Sequence, residues 1–215
     1  MVAPVAVTLA CSGLAAAQAS AATVTVGQPC VVNPNPAVGS PMTVTGAGFT
    51  PGDSITLSSN RGGAYGQTPA DATGRFTINM PGPILPTINP ASAAFVLTAT
   101  DNTDGITAST PFAAANLAVA TNPAQGKPSK RVTWSFSGFV GGANIYAHYL
   151  HGKKVTATAN FGRAQGPCGT LKKRAVFYPG KAKYDVYKVQ VDDSRRYLAT
   201  SLPRLVATLR THIHL

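Results

Sequence analysis

Alternation of apolar and polar positions predicts β-strands along most of the chain after its first 22 residues. Val24 and Val26 alternate with threonines, and Val132, Trp134 and Phe136 alternate with threonine and serine. A period of two is typical of strands that bury one face. Glutamate is absent, good helix formers are scarce outside the first 22 residues, and 21 glycines and 17 prolines punctuate the chain. The pattern therefore predicts an all-β protein.

The predicted strands are short and separated by turn residues. Asn102-Thr-Asp-Gly105 joins two of them and is typical of a hairpin. We expect strands at 23–32, 42–46, 54–59, 75–80, 93–100, 106–110, 117–120, 132–136, 145–150, 187–191 and 205–209.

A repeat with a shift of 90 positions relates the two halves of the chain. Farther along, the strand before Asp101 lies over the strand before Asp192 at a shift of 91. Such self-similarity indicates duplication of one structural unit, and this period fits a small sandwich domain of roughly 100 residues. The matched pairs are Gly48 with Gly138, Phe49 with Phe139, Gly52 with Gly142 and Ile55 with Ile145.

We therefore predict two tandem immunoglobulin-like β-sandwich domains after an N-terminal signal segment. The first unit covers residues 23–115 and the second covers 116–215, with 115–126 joining them. Phe49 and Phe139 are expected to anchor the two cores. Trp134, the only tryptophan, is expected to pack between the sheets of the second unit.

Residues 1–22 are nearly all small or apolar, and Ala19-Ser20-Ala21 fits a signal-peptidase site. The segment is predicted to be a secretory signal peptide. No lysine or arginine precedes the apolar run, so we expect the true start to lie upstream. The alternatives are a membrane anchor, which polar residues interrupt, and a lipoprotein signal that uses Cys11.

Cleavage of the signal would leave Cys30 and Cys168 as the thiols of the mature chain. Two exported thiols usually pair, and this pair would connect the two units. Two free thiols or a disulfide-linked dimer are the alternatives.

Charge separates the two units more clearly than any other property. Residues 23–115 carry a net charge of −2, whereas 116–215 carry sixteen of the eighteen basic residues and a net charge of +13. A field of this size attracts polyanions. The candidate polyanion-binding residues are Lys153, Lys154, Lys172, Lys173, Arg174, Lys181, Lys183, Arg195 and Arg196.

Outside a cell, the candidate partners are teichoic or other phosphate-bearing wall polymers and the anionic surface of a membrane. Tyr178, Tyr184, Tyr187 and Tyr197 interleave with the cations, as on some nucleic-acid-binding surfaces, but β propensity explains them equally well. Specific nucleic-acid recognition is not expected. A basic face that serves only solubility is the remaining alternative.

No catalytic, metal or cofactor pattern emerges from the sequence. Without glutamate, carboxylate chemistry would depend on seven aspartates, and no nucleophile elbow or zinc motif is present. Asp101 and Asp104 fit a hairpin turn better than a calcium loop. His148 and His151 are expected to be exposed or at a sheet edge, and Asp192 and Asp193 to form a turn before Ser194.

The second unit resembles the C-terminal domain of a group of uncharacterised, secreted actinobacterial proteins with tandem immunoglobulin-like domains. The resemblance covers about residues 130–200. It implies an exported all-β protein and brings no functional residues with it. The motifs that carry it are Phe136-Ser-Gly, Ile145-Tyr-Ala-His-Tyr149, Gly162-Arg-Ala-Gln-Gly-Pro-Cys-Gly169 and Val189-Gln-Val-Asp192.

The sequence therefore predicts a secreted or envelope-associated, non-catalytic binding or structural module without a cofactor. Its basic second unit would contact anionic envelope polymers. A secreted hydrolase or an accessory domain of one, and a carrier of small ligands, are the alternatives. A pocket that holds Asp, His and Ser together would favour the hydrolase, and a large apolar cavity would favour the carrier.

Overall fold

The computed structural model describes residues 21–35, 37–86, 89–180, 186–201 and 203–210. Residues 1–20 of the predicted signal peptide lie outside this range, as do the candidate cations Lys181 and Lys183. The described residues contain strands and turns but no α-helix, and therefore no helix that could span a membrane. The predicted all-β fold is confirmed.

Fifteen strands run through the described part of the chain. They are β1 (Thr23–Val26), β2 (Cys30–Asn33), β3 (Pro41–Ala47), β4 (Ser54–Ser59), β5 (Ala64–Pro69), β6 (Phe76–Pro81), β7 (Ser92–Asp101), β8 (Thr107–Asn116), β9 (Ala118–Asn122), β10 (Arg131–Ser137), β11 (Asn144–His151), β12 (Lys154–Arg163), β13 (Leu171–Val176), β14 (Val186–Asp192) and β15 (Leu205–Arg210).

The first unit packs a three-stranded sheet against a five-stranded one. Sheet A has the order β1-β3-β6, and sheet B has the order β2-β8-β7-β4-β5. Every pairing is antiparallel except that of β2 with β8. Alternate residues of both sheets point inward, and the core between them includes Val44, Phe49, Leu57, Phe76 and Leu97.

The second unit packs a three-stranded sheet against a four-stranded one. Sheet C has the order β13-β10-β9, and sheet D has the order β12-β11-β14-β15. Trp134 is buried between the sheets, as predicted, with ring centroids 5.0 Å from Phe161 and 6.2 Å from Phe177. Ile145, Ala147 and Tyr149 of β11 complete this core and are fully buried.

The turns matched by the sequence repeat have the same construction. Gly48, Gly52, Gly138 and Gly142 have φ angles of 82°, 82°, 81° and 82°. The backbone hydrogen bonds also correspond. Phe49 N donates to Gly74 O and Gly52 N to Ala70 O in the first unit, whereas Phe139 N donates to Gly169 O and Gly142 N to Ala164 O in the second. The two turns that the sequence repeat matches therefore agree in their individual hydrogen bonds.

Several strands differ from their predictions. The single strand expected at 23–32 divides into β1 and β2, which belong to different sheets, because the chain changes sheets around Gly27–Pro29. Strands β5, β12 and β13 were not predicted; β12 alternates threonine with alanine, and β13 is mostly basic. The joining segment expected at 115–126 is largely strand, with only Leu117 between β8 and β9.

Candidate polyanion-binding face

Three basic side chains share the outer face of sheet C. Val132, Trp134 and Phe136 of β10 point into the core, so the intervening residues of β10 point outward. Directly opposite residues on antiparallel strands share a face. Lys172 pairs with Ser135 and Arg174 with Thr133, and Arg131 lies at the start of β10. We call Arg131, Lys172 and Arg174 the sheet C stripe.

All three members of the sheet C stripe are exposed to solvent. Arg131 Nη2 donates to the backbone oxygen of Arg174 at 3.1 Å, which holds its guanidinium beside β13. Lys173 is also exposed, but it pairs with Trp134 and so belongs to the opposite face of this edge strand. A strand spacing of about 3.4 Å per residue puts Lys172 and Arg174 about 7 Å apart along β13.

The other predicted cations occupy different parts of the second unit. Lys153 and Lys154 lie at the β11–β12 hairpin, and Arg195 and Arg196 lie in the loop that follows β14. All four are exposed. The structure thus divides seven of the nine predicted cations into separate groups. The other two, Lys181 and Lys183, lie outside the described residues.

Acidic groups are few around these cations. The second unit contains only Asp185, Asp192 and Asp193, and Asp192 is fully buried. Among the described residues, the one ion pair joins His148 Nε2 to Asp192 Oδ1 at 3.4 Å and would be charged only with a protonated imidazole.

His148 is fully buried, so the expectation that it is exposed or at a sheet edge is wrong. It lies on the outer face of sheet D, where Thr158 and Gln190 are its cross-strand partners. Its Nδ1 is 3.1 Å from Thr158 Oγ1, and its Nε2 is 3.0 Å from the carbonyl oxygen of Ser194. Because Nε2 faces a carbonyl and a carboxylate, both acceptors, it carries a hydrogen.

The loop between β14 and β15 covers this polar group. Asp192 Oδ1 accepts the backbone N–H of Ser194, and Oδ2 accepts hydrogen bonds from Gln190 and Ser201, both at 2.6 Å. Gln190 Nε2 also donates to the carbonyl oxygen of Leu198 at 2.7 Å. The predicted turn from Asp192 to Ser194 is therefore present, and it fastens the loop that carries Arg195 and Arg196.

Sequence reasoning missed this covering loop because alternation assigns residues to a face but does not show what lies over it. A signal was nevertheless present. His148, Gln190 and Asp192 interrupt a sheet face at cross-strand positions, where an unpaired buried polar group would be costly. The partners that the loop provides are backbone groups of Ser194 and Leu198 and the Ser201 hydroxyl.

Thr158, His148 and Asp192 form a line that resembles part of a hydrolytic triad. The hydroxyl of Thr158 contacts Nδ1 of His148, and the carboxylate of Asp192 lies beside Nε2. His148 and Asp192 are, however, completely buried beneath the loop, whereas Thr158 is exposed. In this arrangement the histidine and the carboxylate hold the loop in place.

Three carboxylates converge at one end of the first unit. Asp53, Asp101 and Asp104 each have an oxygen within 4.8 Å of the others. Hydrogen bonds to the turn occupy two of these groups: Asp101 accepts from the backbone N–H groups of Thr50 and Thr103, and Asp104 accepts from the Thr50 hydroxyl at 2.5 Å. The hydrogen bond from the Thr50 hydroxyl, and after it the one from the backbone N–H of Ile106, lowers the pKa of Asp104 below its ordinary value.

The tyrosines that alternate with cations in the sequence do not form an exposed stacking platform where they are described. Tyr178 and Tyr187 are buried in the second core with ring centroids 4.8 Å apart. Tyr197 packs edge-on against His148 at 5.8 Å. Tyr184 lies outside the described residues. The interpretation based on β propensity accounts for Tyr178 and Tyr187.

A disulfide joins the two units. Cys30 of β2 and Cys168 are bonded, with their Cα atoms 5.3 Å apart. The predicted intrachain pairing is therefore confirmed. Residues 164–170 connect β12 to β13 and contain Cys168, and we call them the cysteine loop. This loop packs tightly on its own unit, since a Cβ on Gly169 would lie 1.8 Å from Phe139 O.

Further hydrogen bonds fix the junction beside the disulfide. The backbone N–H of Ala91 donates to Ser137 Oγ at 3.2 Å, and the Ser137 hydroxyl donates to Asn116 O at 2.6 Å. Ser137 therefore connects β10 with β8 and with the segment that precedes β7.

A cleft of about 750 Å³ opens at this junction, on the outer face of sheet C. The first unit contributes Asn89 to Ser92, and the second contributes residues of β9, β10, β13 and the cysteine loop. Lys172 of the sheet C stripe is the one basic residue in its wall. A second cavity of about 310 Å³ lies between the edges of β9 and β15 and is lined mostly by apolar residues, including Trp134, Val189 and Leu209.

The chain resembles some solved structures but matches no protein-family model and no curated protein. It is similar to a solved tetra-tandem repeat from the extending region of a large adhesion protein, with 11% identity and a TM-score of 0.30, covering 89% of this chain and 49% of the other. It is similar to Salmonella alpha-2-macroglobulin at 10% identity and a TM-score of 0.30, covering 90% and 15%. It is also similar to the E. coli chaperone DraB at 13% identity and a TM-score of 0.30, covering 88% and 100%. The chain spans about half the length of the first of these structures and less of the second.

Proposed function

We propose that this protein is an exported β-sandwich module of the cell envelope and that its second unit binds anionic envelope polymers without catalysing a reaction. The sheet C stripe carries this proposal. It presents three exposed cations on one face of a rigid sheet, in a unit with a sequence charge of +13. Fixed cations in a row suit a polymer that carries regularly spaced anionic groups.

Export is supported by the disulfide between Cys30 and Cys168. Structural disulfides persist in oxidising compartments and are rare in the cytosol. The apolar segment at residues 1–22 fits the same route, with Ala19-Ser20-Ala21 as its cleavage site. We infer a location outside the cytoplasmic membrane, at the envelope or beyond it.

The binding function is favoured over the hydrolase by the burial of the histidine and carboxylate that a hydrolase would require. His148 and Asp192 lie beneath the β14–β15 loop, and the cleft at the junction is lined by neither. It is favoured over the carrier by size, since the apolar cavity of about 310 Å³ is at the lower end of small-molecule pockets.

The test is sedimentation of the purified protein with bacterial cell walls, before and after chemical extraction of their anionic polymers. We expect binding to intact walls at low salt and a steep loss as salt rises, because association releases counterions from the polymer. Lys172→Gln with Arg174→Gln should weaken binding about tenfold or more, as expected for the loss of two charge-assisted contacts. The matched control, Lys153→Gln with Lys154→Gln, removes the same charge and should weaken binding less.

Absent or salt-insensitive binding would reject the proposal. Equal binding to extracted and intact walls would reject the anionic polymer as the partner.

A further inference from the structure

The cleft at the junction of the two units combines one cation with several neutral hydrogen-bonding groups. Ser135 and Lys172 are cross-strand partners on its floor, and Gln165 and Thr170 come from the cysteine loop. Asn89 and Ser92 of the first unit form the facing wall. No carboxylate belongs to the described lining, so its charge is positive.

The shape of the cleft is fixed before any ligand arrives. The disulfide and the Ser137 hydrogen bonds hold the two walls together, and the close contact of Gly169 with Phe139 fixes the loop around Cys168 on its own unit. Gln165 and Thr170 exchange two backbone hydrogen bonds of 2.8 and 2.9 Å, which fix the backbone from which both side chains project. A preformed site avoids much of the ordering cost of binding.

The lining selects among anionic ligands. Hydroxyl and amide side chains recognise a ligand that carries its own hydroxyl groups, and the Lys172 ammonium recognises an anionic group. Phe136 is the one aromatic residue of the described lining and is 2% exposed, so the cleft offers no open ring on which a nucleic-acid base could stack. A hydroxylated phosphate unit fits this chemistry better than a nucleotide.

We propose that the cleft binds one polyol- or sugar-phosphate unit of an anionic polymer, with Lys172 on the phosphate and Ser135 and Gln165 on the hydroxyl groups. The inference rests on the proposed function and names the ligand class and the principal subsite. Arg174 and Arg131 continue outward from Lys172 on the same face, so they would meet the phosphates of adjoining units.

The test is calorimetric titration of the full chain with a short glycerol-phosphate oligomer. Lys172→Gln should weaken binding about tenfold, as expected for the loss of one charge-assisted contact. The control Lys188→Gln removes the same charge from an exposed position on β14, in the opposite sheet D and outside the described lining of the cleft, and should leave the affinity nearly unchanged. Circular dichroism should show that both variants are folded.

Two substitutions that leave the charge unchanged separate the recognition of hydroxyl groups from the attraction of charge. Gln165→Ala should weaken binding of the glycerol-phosphate oligomer roughly fivefold, the effect of about one hydrogen bond. It should leave binding of inorganic polyphosphate unchanged, since polyphosphate carries charge without hydroxyl groups. Gln67→Ala, an exposed glutamine of β5 in the first unit, is the matched control and should change neither affinity.

Binding to vesicles of phosphatidylglycerol tests whether the hydroxylated phosphate group belongs to a lipid headgroup and not to a soluble polymer. Binding of either ligand that depends on Lys172 supports the site. If the affinity of Lys172→Gln equals that of Lys188→Gln, or the affinity of Gln165→Ala equals that of Gln67→Ala, while the wild type still binds the oligomer, the cleft is wrong and the proposed function stands. If the wild type binds neither the oligomer nor intact walls at low salt, both proposals are wrong.

Discussion

In both units, an aspartate at the end of a core strand accepts a hydrogen bond from the backbone two residues later, but the two aspartates serve different purposes. Asp101 ends β7 and accepts from Thr103 N, and Asp192 ends β14 and accepts from Ser194 N. In the first unit the second carboxylate oxygen reaches the neighbouring turn at Thr50. In the second unit it receives Gln190 and Ser201 and fastens a long loop over the sheet.

The difference shows that two units with the same turn can carry different surface chemistry. The glycine-phenylalanine turn and its hydrogen bonds are alike in both copies. The positive residues are concentrated in the second copy, on strands and loops outside that turn. The core thus carries the repeated pattern, while the outer faces carry the difference between the copies.

The largest expected loss of stability comes from substitution of the glycine that closes the repeated turn. Gly169→Ala would place a Cβ 1.8 Å from Phe139 O at a φ of +51°, and Gly74→Ala would place one 2.1 Å from Phe49 O at +72°. Each should lower the free energy of unfolding by about 4 kcal/mol through left-handed strain and a steric clash. Denaturant titration measures this.

Gly142→Ala is the matched control, because it has a φ of +82° and no heavy atom within 4 Å of the new Cβ. It should cost only the strain, about 1–2 kcal/mol. If all three variants lose the same stability, the repeated close contact does not hold the turns.

Removal of the disulfide is expected to have the next largest effect. Cys30→Ser with Cys168→Ser opens a loop of 138 residues and should cost about 3 kcal/mol, somewhat less than the chain-entropy value because the junction keeps its hydrogen bonds. We expect the two cores to unfold in separate transitions, since the disulfide is the covalent link between them in addition to the backbone at Leu117. A single unchanged transition in calorimetry would contradict this role.

The two strand-end aspartates should differ in what their loss costs. Asp192→Ala leaves Gln190 and Ser201 without their carboxylate and should destabilise the chain by about 3 kcal/mol, whereas Asp101→Ala should cost about 1–2 kcal/mol. Limited proteolysis should cut the β14–β15 loop of Asp192→Ala faster than that of the wild type. Equal stability losses without faster cleavage would show that the buried network does not fasten the loop.

The smallest expected change in stability comes from removal of a buried hydroxyl in the second core. Tyr149 is fully buried, and its hydroxyl has no hydrogen-bond partner among the residues that the structure describes. Tyr149→Phe should be neutral or stabilising by up to about 1 kcal/mol, because it removes an unsatisfied buried polar group.

Tyr149 should also make the stability of the protein depend on pH in the alkaline range. Burial, and to a lesser extent Tyr178, raises the pKa of Tyr149 above its ordinary value near 10. The group therefore contributes stability below pH 10 that is lost as pH rises further, since the unfolded chain ionises first. Tyr149→Phe should lose less stability than the wild type between pH 9 and pH 11. Identical alkaline profiles would contradict this assignment.

Alternation and turn chemistry were sufficient to predict the all-β class, the repeated glycine-phenylalanine turns and the position of Trp134. They were insufficient for β13, because Lys172, Lys173 and Arg174 lie on an exposed edge strand whose composition does not alternate. The burial of His148 also depends on a loop more than 40 residues away in sequence. Charge counting found the basic unit, but only strand register places Lys172 beside Ser135 in the cleft.

Hydrogen exchange with and without saturating glycerol-phosphate oligomer would locate the binding site on the backbone. We expect slower exchange of backbone amides at 135–137 and 165–174, with β6 of the first unit unchanged. Protection that is confined to the first unit, or no protection at any amide of the second, would contradict this expectation.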